Sequence, residues 1–395
     1  MDSLGVYISV PFCRSKCTYC NFASGVFPSS YMSRYIERVC EDLQTAVARF
    51  SGMPRTADTV YLGGGTPSLL PPHLLKMLFG AIREHFLVTD NAEITVECAP
   101  GQLADDALDA MLECGVNRIS FGIQSFIDRE AKASGRLHTR AVALEDIWRA
   151  QRAGIKRVNA DLIAGLPHQT AASWSESLAI LLESGVGHAS IYMLEVDDDS
   201  RLGREVLGGG ARYYAPAVPS DDAIADMYAD AIDVLAQNGL MQYEISNFAR
   251  SGSASVHNTK YWLRKPYLGL GVDAHSMLRA ADGAVIRFAT TDDLQCYLTG
   301  PGWDSEHSLT RQEELEEAWF LRLRLNAGVN LRQIEADFGK EQVEQYKPIV
   351  EELAADGFLS ISADQITLTL QGRMLSNEVF SRFLGAIEVP EPAPV

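Results

Sequence analysis

The sequence has no apolar run approaching the roughly 18–20 residues that a membrane span requires, and its N-terminus lacks the basic-then-apolar pattern of a secretory leader. It is also short of positive charge. Thirty-four Lys and Arg stand against 52 Asp and Glu, a formal net charge of −18 in 395 residues. A field of that sign repels phosphate backbones, which argues against nucleic acid as a partner. Cysteine is sparse and odd in number, seven in all, so a disulfide framework is not expected. Low-complexity sequence is confined to Pro390-Glu391-Pro392-Ala393-Pro394, which reads as part of a disordered tail over 387–395. These absences predict a soluble, cytoplasmic protein with no transmembrane segment and no more than transient membrane association.

What is present is ordinary globular composition, 47% hydrophobic and 22% charged, enough for a sizeable core. Up to about residue 240, short β-rich runs alternate with longer amphipathic stretches. The candidate strands are Val6–Val10, Thr59–Leu62, Glu93–Cys98, Arg118–Gly122, Arg157–Ile163 and Ala189–Met193. Helical patterns lie between them, over Tyr31–Phe50, His73–Phe86, Asp105–Cys114, Ala141–Ala153 and Ser173–Ser184, and Gly115, Gly154 and Gly185 follow as stop signals. This alternation predicts an α/β fold with a parallel sheet and helices outside it. Six strands make a partial (β/α)6 barrel, whose strand ends converge on one face; an open doubly wound sheet fits the periodicity equally well.

Four segments are expected: the barrel over 1–249, a Gly- and aromatic-rich connecting segment over 250–304, a C-terminal domain over 305–386, and the tail. In the third, helical patterns at Thr310–Asn326, Leu331–Asp337 and Glu341–Asp356 precede β-like stretches at Leu359–Ser362 and Gln365–Leu370. That order predicts a winged-helix-like α+β domain. Residues 305–395 carry 8 basic and 16 acidic side chains, the wrong sign for reading DNA.

The chemistry is concentrated in Pro11-Phe12-Cys13-Arg14-Ser15-Lys16-Cys17-Thr18-Tyr19-Cys20, a C-x3-C-x2-C run directly after the first strand. Three thiols this close can converge on one centre, and thiolates favour soft metals and iron–sulfur clusters. A structural zinc site closes with four ligands, and Asn21 and Phe22 supply no fourth. Three cysteines on a four-iron cluster leave one iron open to a small molecule. Cys40, Cys98, Cys114 and Cys296 are scattered and read as small buried hydrophobes. Gly63-Gly64-Gly65-Thr66-Pro67 permits close backbone approach, although a tight strand-to-helix loop accounts for it as well. Glu97 ends its strand, and Asp161, a charge in an otherwise apolar strand, needs a partner.

The spacing and its context, Pro-Phe-Cys…Cys-x-Tyr-Cys-Asn-Phe, resemble the radical S-adenosylmethionine superfamily, in the subgroup of HemN and HemW. The likeness extends over nearly the whole chain. It implies a [4Fe–4S] cluster on Cys13, Cys17 and Cys20. It also implies S-adenosylmethionine contacts from Tyr7, Tyr19, Gly64, Gly65, Thr66, Glu97, Gln124, Arg136 and Asp161, with Arg136 suited to the methionine carboxylate. One position departs from the pattern: Ser9 stands where relatives have His.

Two activities follow from the resemblance. One is haem binding and delivery to acceptor haemoproteins, with haem as cargo; the other is oxygen-independent decarboxylation of coproporphyrinogen III. A radical enzyme acting on another tetrapyrrole or small substrate is a third reading, and any radical chemistry calls for an electron donor. The chaperone is favoured on three counts. Phe22 replaces a cysteine that the oxidase carries, and Cys13 lies so near the start that no long preceding extension is expected. Ser255-Val256-His257-Asn258-Thr259-Lys260-Tyr261-Trp262 contains H-N-x-x-Y-W, a pattern associated with haem in this subgroup, which makes His257 the expected haem contact. His275 is expected to be structural or pocket-lining, Asp197-Asp198-Asp199 a solvated loop, and Gly208-Gly209-Gly210 a flexible surface insertion.

Overall fold

A computed structural model describes residues 3–280, 282–303 and 305–385, so the expected tail lies outside the described residues. The chain forms two compact units, one over 1–242, 246–260 and 265–307 and the other over 243–245, 261–264 and 308–395.

The first unit is built on six parallel strands: β1 (Leu4–Val10), β2 (Thr56–Gly64), β3 (Leu87–Cys98), β4 (Arg118–Gln124), β5 (Arg157–Ala164) and β6 (His188–Met193). They pair in the order 1-2-3-4-5-6. A doubly wound sheet reverses its strand order at a switch point; this one never does, so the partial (β/α)6 barrel is the architecture. Helices Ser30–Arg49, Pro72–His85, Asp105–Glu113, Arg140–Arg152 and Ala171–Glu183 connect the strands. The stop glycines Gly115, Gly154 and Gly185 all take positive φ.

Both faces of these strands are buried, and they differ in chemistry. Val6, Ile8, Val60, Leu62, Val96, Ile119 and Val158 share the apolar face. The alternate residues, which include Tyr61, Glu97, Ser120, Asn159, Asp161, His188 and Ser190, are polar and bond to one another across neighbouring strands. A polar face of this kind reads in sequence as the solvent side of a strand; here it lines the barrel.

The region taken as a connecting segment instead extends the sheet. After β7 (Met241–Gln242) and β8 (Asn247–Ala249) beside β6, the chain returns to add β9 (Tyr267–Leu270) parallel to β1. Then β10 (His275–Arg279), β11 (Val285–Ala289) and β12 (Ser305–Ser308) follow in order, the first two antiparallel to their neighbours. These strands are too short and too interrupted by turns to show a period. His275 opens β10 with its side chain exposed rather than lining a pocket.

The second unit has the winged-helix order: Arg311–Leu323, β13 (Val329–Asn330), helices Leu331–Phe338, Lys340–Glu344 and Lys347–Ala355, then β14 (Leu359–Ser362) and β15 (Gln365–Leu368). Its sheet runs β13-β15-β14, all antiparallel. The two-residue β13 has no sequence signature. Trp319 stacks on Phe383 at 5.3 Å and lies 5.8 Å from Tyr346, at the centre of an apolar cluster. Residues 261–264 belong to this unit: Arg264 pairs with Glu314 at 3.0 Å and Glu317 at 3.3 Å, and the Arg324 guanidinium sits 4.3 Å from the Trp262 ring. No helix among the described residues is long and apolar enough to cross a membrane.

Candidate functional site

The loop after β1 is strapped down on several sides. Thr66 N donates to Phe12 O at 2.8 Å and Cys13 N to Gly25 O at 2.9 Å, while Thr18 N reaches Ser134 O at 3.0 Å. Phe12 packs edge-on against Phe27 and Tyr35. Lys16 Nζ closes the turn by donating to Phe22 O at 2.7 Å and Ser24 O at 2.9 Å. The segment after β6 also contributes. Asn21 Nδ2 donates to Asp197 Oδ2 at 3.1 Å, Leu202 N to Thr18 O at 2.8 Å, and Arg201 Nη2 to Lys16 O. Asp197 therefore braces the cysteine loop, while Asp198 and Asp199 are exposed in a loop, as expected. Gly208 and Gly209 are exposed, as expected of a surface insertion, while the tyrosines that follow are held: Arg201 lies over the Tyr213 ring and Tyr214 meets His168 edge-on.

These ties place Cys13, Cys17 and Cys20 on the wall of one cavity of about 470 Å3 at the C-terminal ends of the strands, within the roughly 300–1,000 Å3 of small-molecule sites. Tyr19, Gly64, Gly65, Thr66, Glu97, Gln124, Arg136 and Asp161 line the same cavity. Eleven of the 28 residues on this wall are thus among those named from the sequence. Sequence reading missed Ser120 and Gly122, which share the face of β4 with Gln124 and were findable by the two-residue period. Cys98, which follows Glu97, is buried as its reading as core expects, and also borders the wall.

Two expected residues lie elsewhere. Tyr7 is half-buried on β1, its ring 6.1 Å from Tyr61, and is absent from the wall. His257 is 1% exposed in the Val256–Trp262 helix and is also absent from the wall. Its Nδ1 is 2.8 Å from Thr59 Oγ1, and its ring stacks on Tyr61 at 5.2 Å. Burial lowers its pKa to about 3, with Lys260 and Arg118 adding to the effect. The ring is neutral and enclosed, with no face open to a haem iron in this structure.

The glycine turn is explained by the protein itself. A Cβ on Gly65 would lie 2.5 Å from Val10 O and 3.0 Å from Phe12 O, and one on Gly64, at φ +90°, would lie 2.7 Å from Ser9 Oγ. The turn presses against the cysteine loop, and this alone requires glycine. Gly64 N also donates to Glu97 Oε2 at 3.2 Å, while Tyr61 Oη donates to Oε1 at 2.7 Å.

Burial raises the Glu97 carboxyl to about 7 against the hydrogen bond from Tyr61, with Asp161 nearby pushing the same way. A carboxyl raised on folding stabilises the fold fully below its unfolded value and loses that contribution as pH climbs through the folded one. Relative to Glu97→Gln, cofactor-free wild type should therefore lose on the order of 3 kcal/mol between about pH 4.5 and 7 and change little above. Urea titrations of both proteins at stepped pH check this; parallel profiles would refute it.

The other groups are set for a charged, polar guest. Burial opposes the Arg136 charge, but Tyr19 and Cys17 outweigh it, and Nη1 lies 3.3 Å from Cys17 Sγ. Burial pushes the Cys13 thiol up, eased by hydrogen bonds from Thr66 and Ser24. Gln124 is held at φ +72° beside a bulge in β4, and its buried Oε1 has no hydrogen-bond partner among the described residues; the same is true of Arg136 Nε. Strain and unmatched polar atoms at one wall mark a ligand site. Among the described residues, no three His, Cys, Asp or Glu side chains close around a single metal ion. A cluster makes a different demand, with cysteine sulfurs at its corners rather than around a point, and three thiols on one cavity wall fit it.

Residues 7–181 match the radical SAM superfamily and residues 309–375 the HemN C-terminal domain. The chain is 31% identical to the heme chaperone HemW of Bacillus subtilis over 96% of its own length and 99% of the relative's. It is 33% identical to the heme chaperone HemW of Lactococcus lactis, covering 96% of each. In fold it is similar to coproporphyrinogen III oxidase (HemN) from Escherichia coli, a radical SAM enzyme, with a TM-score of 0.83 and 23% identity over 98% of this chain and 91% of that one.

Proposed function

The chain belongs to the HemN/HemW group of the radical S-adenosylmethionine superfamily, and from that premise we propose that it is a haem chaperone, binding haem and passing it to acceptor haemoproteins. Cys13, Cys17 and Cys20 hold a [4Fe–4S] cluster in this reading, and S-adenosylmethionine occupies the cavity beside it. When bound, the cluster supplies the electron for reductive cleavage of S-adenosylmethionine. The chain's own residues bind and orient the cofactor. Arg136 offers a fixed positive charge to a carboxylate, Glu97 and Asp161 offer acceptors to amino and hydroxyl groups, and the backbone at Gly64–Thr66 walls the cavity.

The observation that carries the chaperone reading is the end-to-end match to chains named heme chaperone. Phe22 supports it. At the position where the oxidase carries a further cysteine, this chain places a phenyl ring 62% exposed on the cavity wall.

The test is an anaerobic haem titration of the reconstituted protein, followed by absorption, with coproporphyrinogen III turnover and 5′-deoxyadenosine release assayed alongside. Saturable binding with a defined Soret band and no decarboxylation is the expected result. Non-saturating binding together with turnover would replace the chaperone by the oxidase. His257→Ala belongs in the same series. From the burial of the ring, a folded His257→Ala protein should keep the Soret band; its loss would mean that the Val256–Trp262 helix leaves the barrel when haem binds.

A further inference from the structure

Asp161 sits on the cavity wall at the end of a buried chain of hydrogen bonds. Its Oδ1 accepts from Asn159 Nδ2 at 2.6 Å, and its Oδ2 accepts from Ser120 Oγ at 3.4 Å. The same amide nitrogen donates its other hydrogen to Ser120 Oγ at 2.7 Å. Asn159 must therefore turn its oxygen the other way, where it lies 2.6 Å from His188 Nδ1 and 3.3 Å from Ser190 Oγ. An amide oxygen only accepts, so His188 Nδ1 carries the hydrogen. Burial, with Arg118 adding to it, holds the His188 pKa well below the usual imidazole range, so the ring is neutral and its tautomer is fixed. The polarity runs one way, from His188 through Asn159 to Asp161. Reversing the amide would set its oxygen against a carboxylate.

Strand register makes this possible. Asn159 lies opposite Ser120 of β4 and His188 of β6, and Asp161 opposite Ser190. All of these except Asp161 are almost fully buried. Arg118, buried on the same face of β4, and Glu97 of β3 are the other charges toward the carboxylate. Apolar residues would fill this layer at less cost in desolvation, so a satisfied, directional network there needs a purpose. We infer that Asn159 and His188 are positioning residues: they hold the Asp161 carboxylate in one rotamer on the cavity wall, ready for bound S-adenosylmethionine. The inference rests on the cofactor reading above and adds to it two residues that touch neither cofactor nor cavity.

The experiment is a double-mutant cycle on the cluster-reconstituted protein, read as S-adenosylmethionine affinity by anaerobic equilibrium dialysis, with thermal unfolding measured on every variant. Asp161→Asn should weaken affinity by about tenfold, the scale of one hydrogen bond to a charged group. Asn159→Leu and His188→Leu should each weaken it similarly. Either one combined with Asp161→Asn should be no worse than Asp161→Asn alone, because the three act as one unit. His188→Gln, which keeps an N–H donor, should retain most of the affinity, and it serves as the test if a leucine variant fails to fold. If Asp161→Asn leaves affinity unchanged, the cofactor does not meet Asp161 and the site reading itself falls. If Asp161→Asn weakens binding while the Asn159 and His188 variants do not, or if the effects multiply independently, the site stands and the positioning role is overturned.

Discussion

Cys17→Ser should abolish the broad charge-transfer absorption of the anaerobically reconstituted protein, reduce its bound iron and sulfide, and leave its far-ultraviolet circular dichroism unchanged. Cys17 is the most enclosed of the three thiols: it is buried, while Cys13 and Cys20 are partly exposed. Its sulfur faces Arg136 Nη1 at 3.3 Å. Serine replaces a soft anionic ligand by a hard neutral one, which iron–sulfur chemistry does not accept. The loop does not depend on that sulfur for its shape, because Thr18 N to Ser134 O and Leu202 N to Thr18 O hold it through backbone. Loss of the chromophore in a folded protein is therefore the specific outcome. Cys296→Ser, on an exposed position of the Leu294–Thr299 helix, is the matched control and should show the wild-type spectrum. An unaltered spectrum in Cys17→Ser would remove the cluster from this loop.

Glu93→Ala should cost about 4 kcal/mol of folding stability, the largest single effect expected outside the cysteine loop. Glu93 is fully enclosed on β3, and its carboxylate accepts from His257 N at 3.0 Å, Val256 N at 3.1 Å and Ser255 Oγ at 3.3 Å, with Arg157 Nη1 at 3.4 Å. It thus caps the N-terminus of the Val256–Trp262 helix from a strand more than 160 residues away in sequence. Alanine would take the shared acceptor from two backbone N–H groups, a hydroxyl and a guanidinium at once. Glu93→Gln keeps one carbonyl acceptor and should lose less than half as much. Urea denaturation at pH 7 measures both. A Glu93→Ala protein within about 1 kcal/mol of wild type would show that this carboxylate does not hold the helix in place. The same variant bears on haem: if binding requires the helix to leave, releasing its cap should increase affinity at His257.

Much of this molecule is written locally. The C-x3-C-x2-C run is a loop of eight residues whose chemistry needs no distant partner to be legible, and the six strand–helix units show themselves by period and by their stop glycines. Glu97 and Gln124 follow at strand ends and Asp161 within β5, on the face where a parallel barrel exposes its functional groups, whereas Arg136, in the loop after the Asp128–Ala133 helix, was legible only through the family resemblance. Other features were beyond reach because their causes are remote in sequence. Whether the strands run in consecutive order round a polar interior or reverse at a switch point depends on pairings that periodicity does not encode. The strands Tyr267–Leu270, His275–Arg279, Val285–Ala289 and Ser305–Ser308 became sheet because the edge of β1 accepts Tyr267–Leu270 as a parallel neighbour.

His257 shows the difference most directly. Its motif marks a histidine among aromatics, which fits a metal ligand and a core residue equally. The choice was made by Thr59, Tyr61 and Glu93, from strands some 160–200 residues away. Glu93 itself reads as an ordinary solvent-facing carboxylate in an alternating strand, and Asn159 and His188 as unremarked polar positions. By itself the sequence determined the cysteine loop, the order of elements and the chemistry of the cavity wall, since each depends on residues within a turn or a strand of one another. Only the tertiary structure decided which polar face was interior, what held Asp161 in place, and where His257 came to rest, because hydrogen-bond partners across a barrel are set by strand register and closure, not by neighbours along the chain.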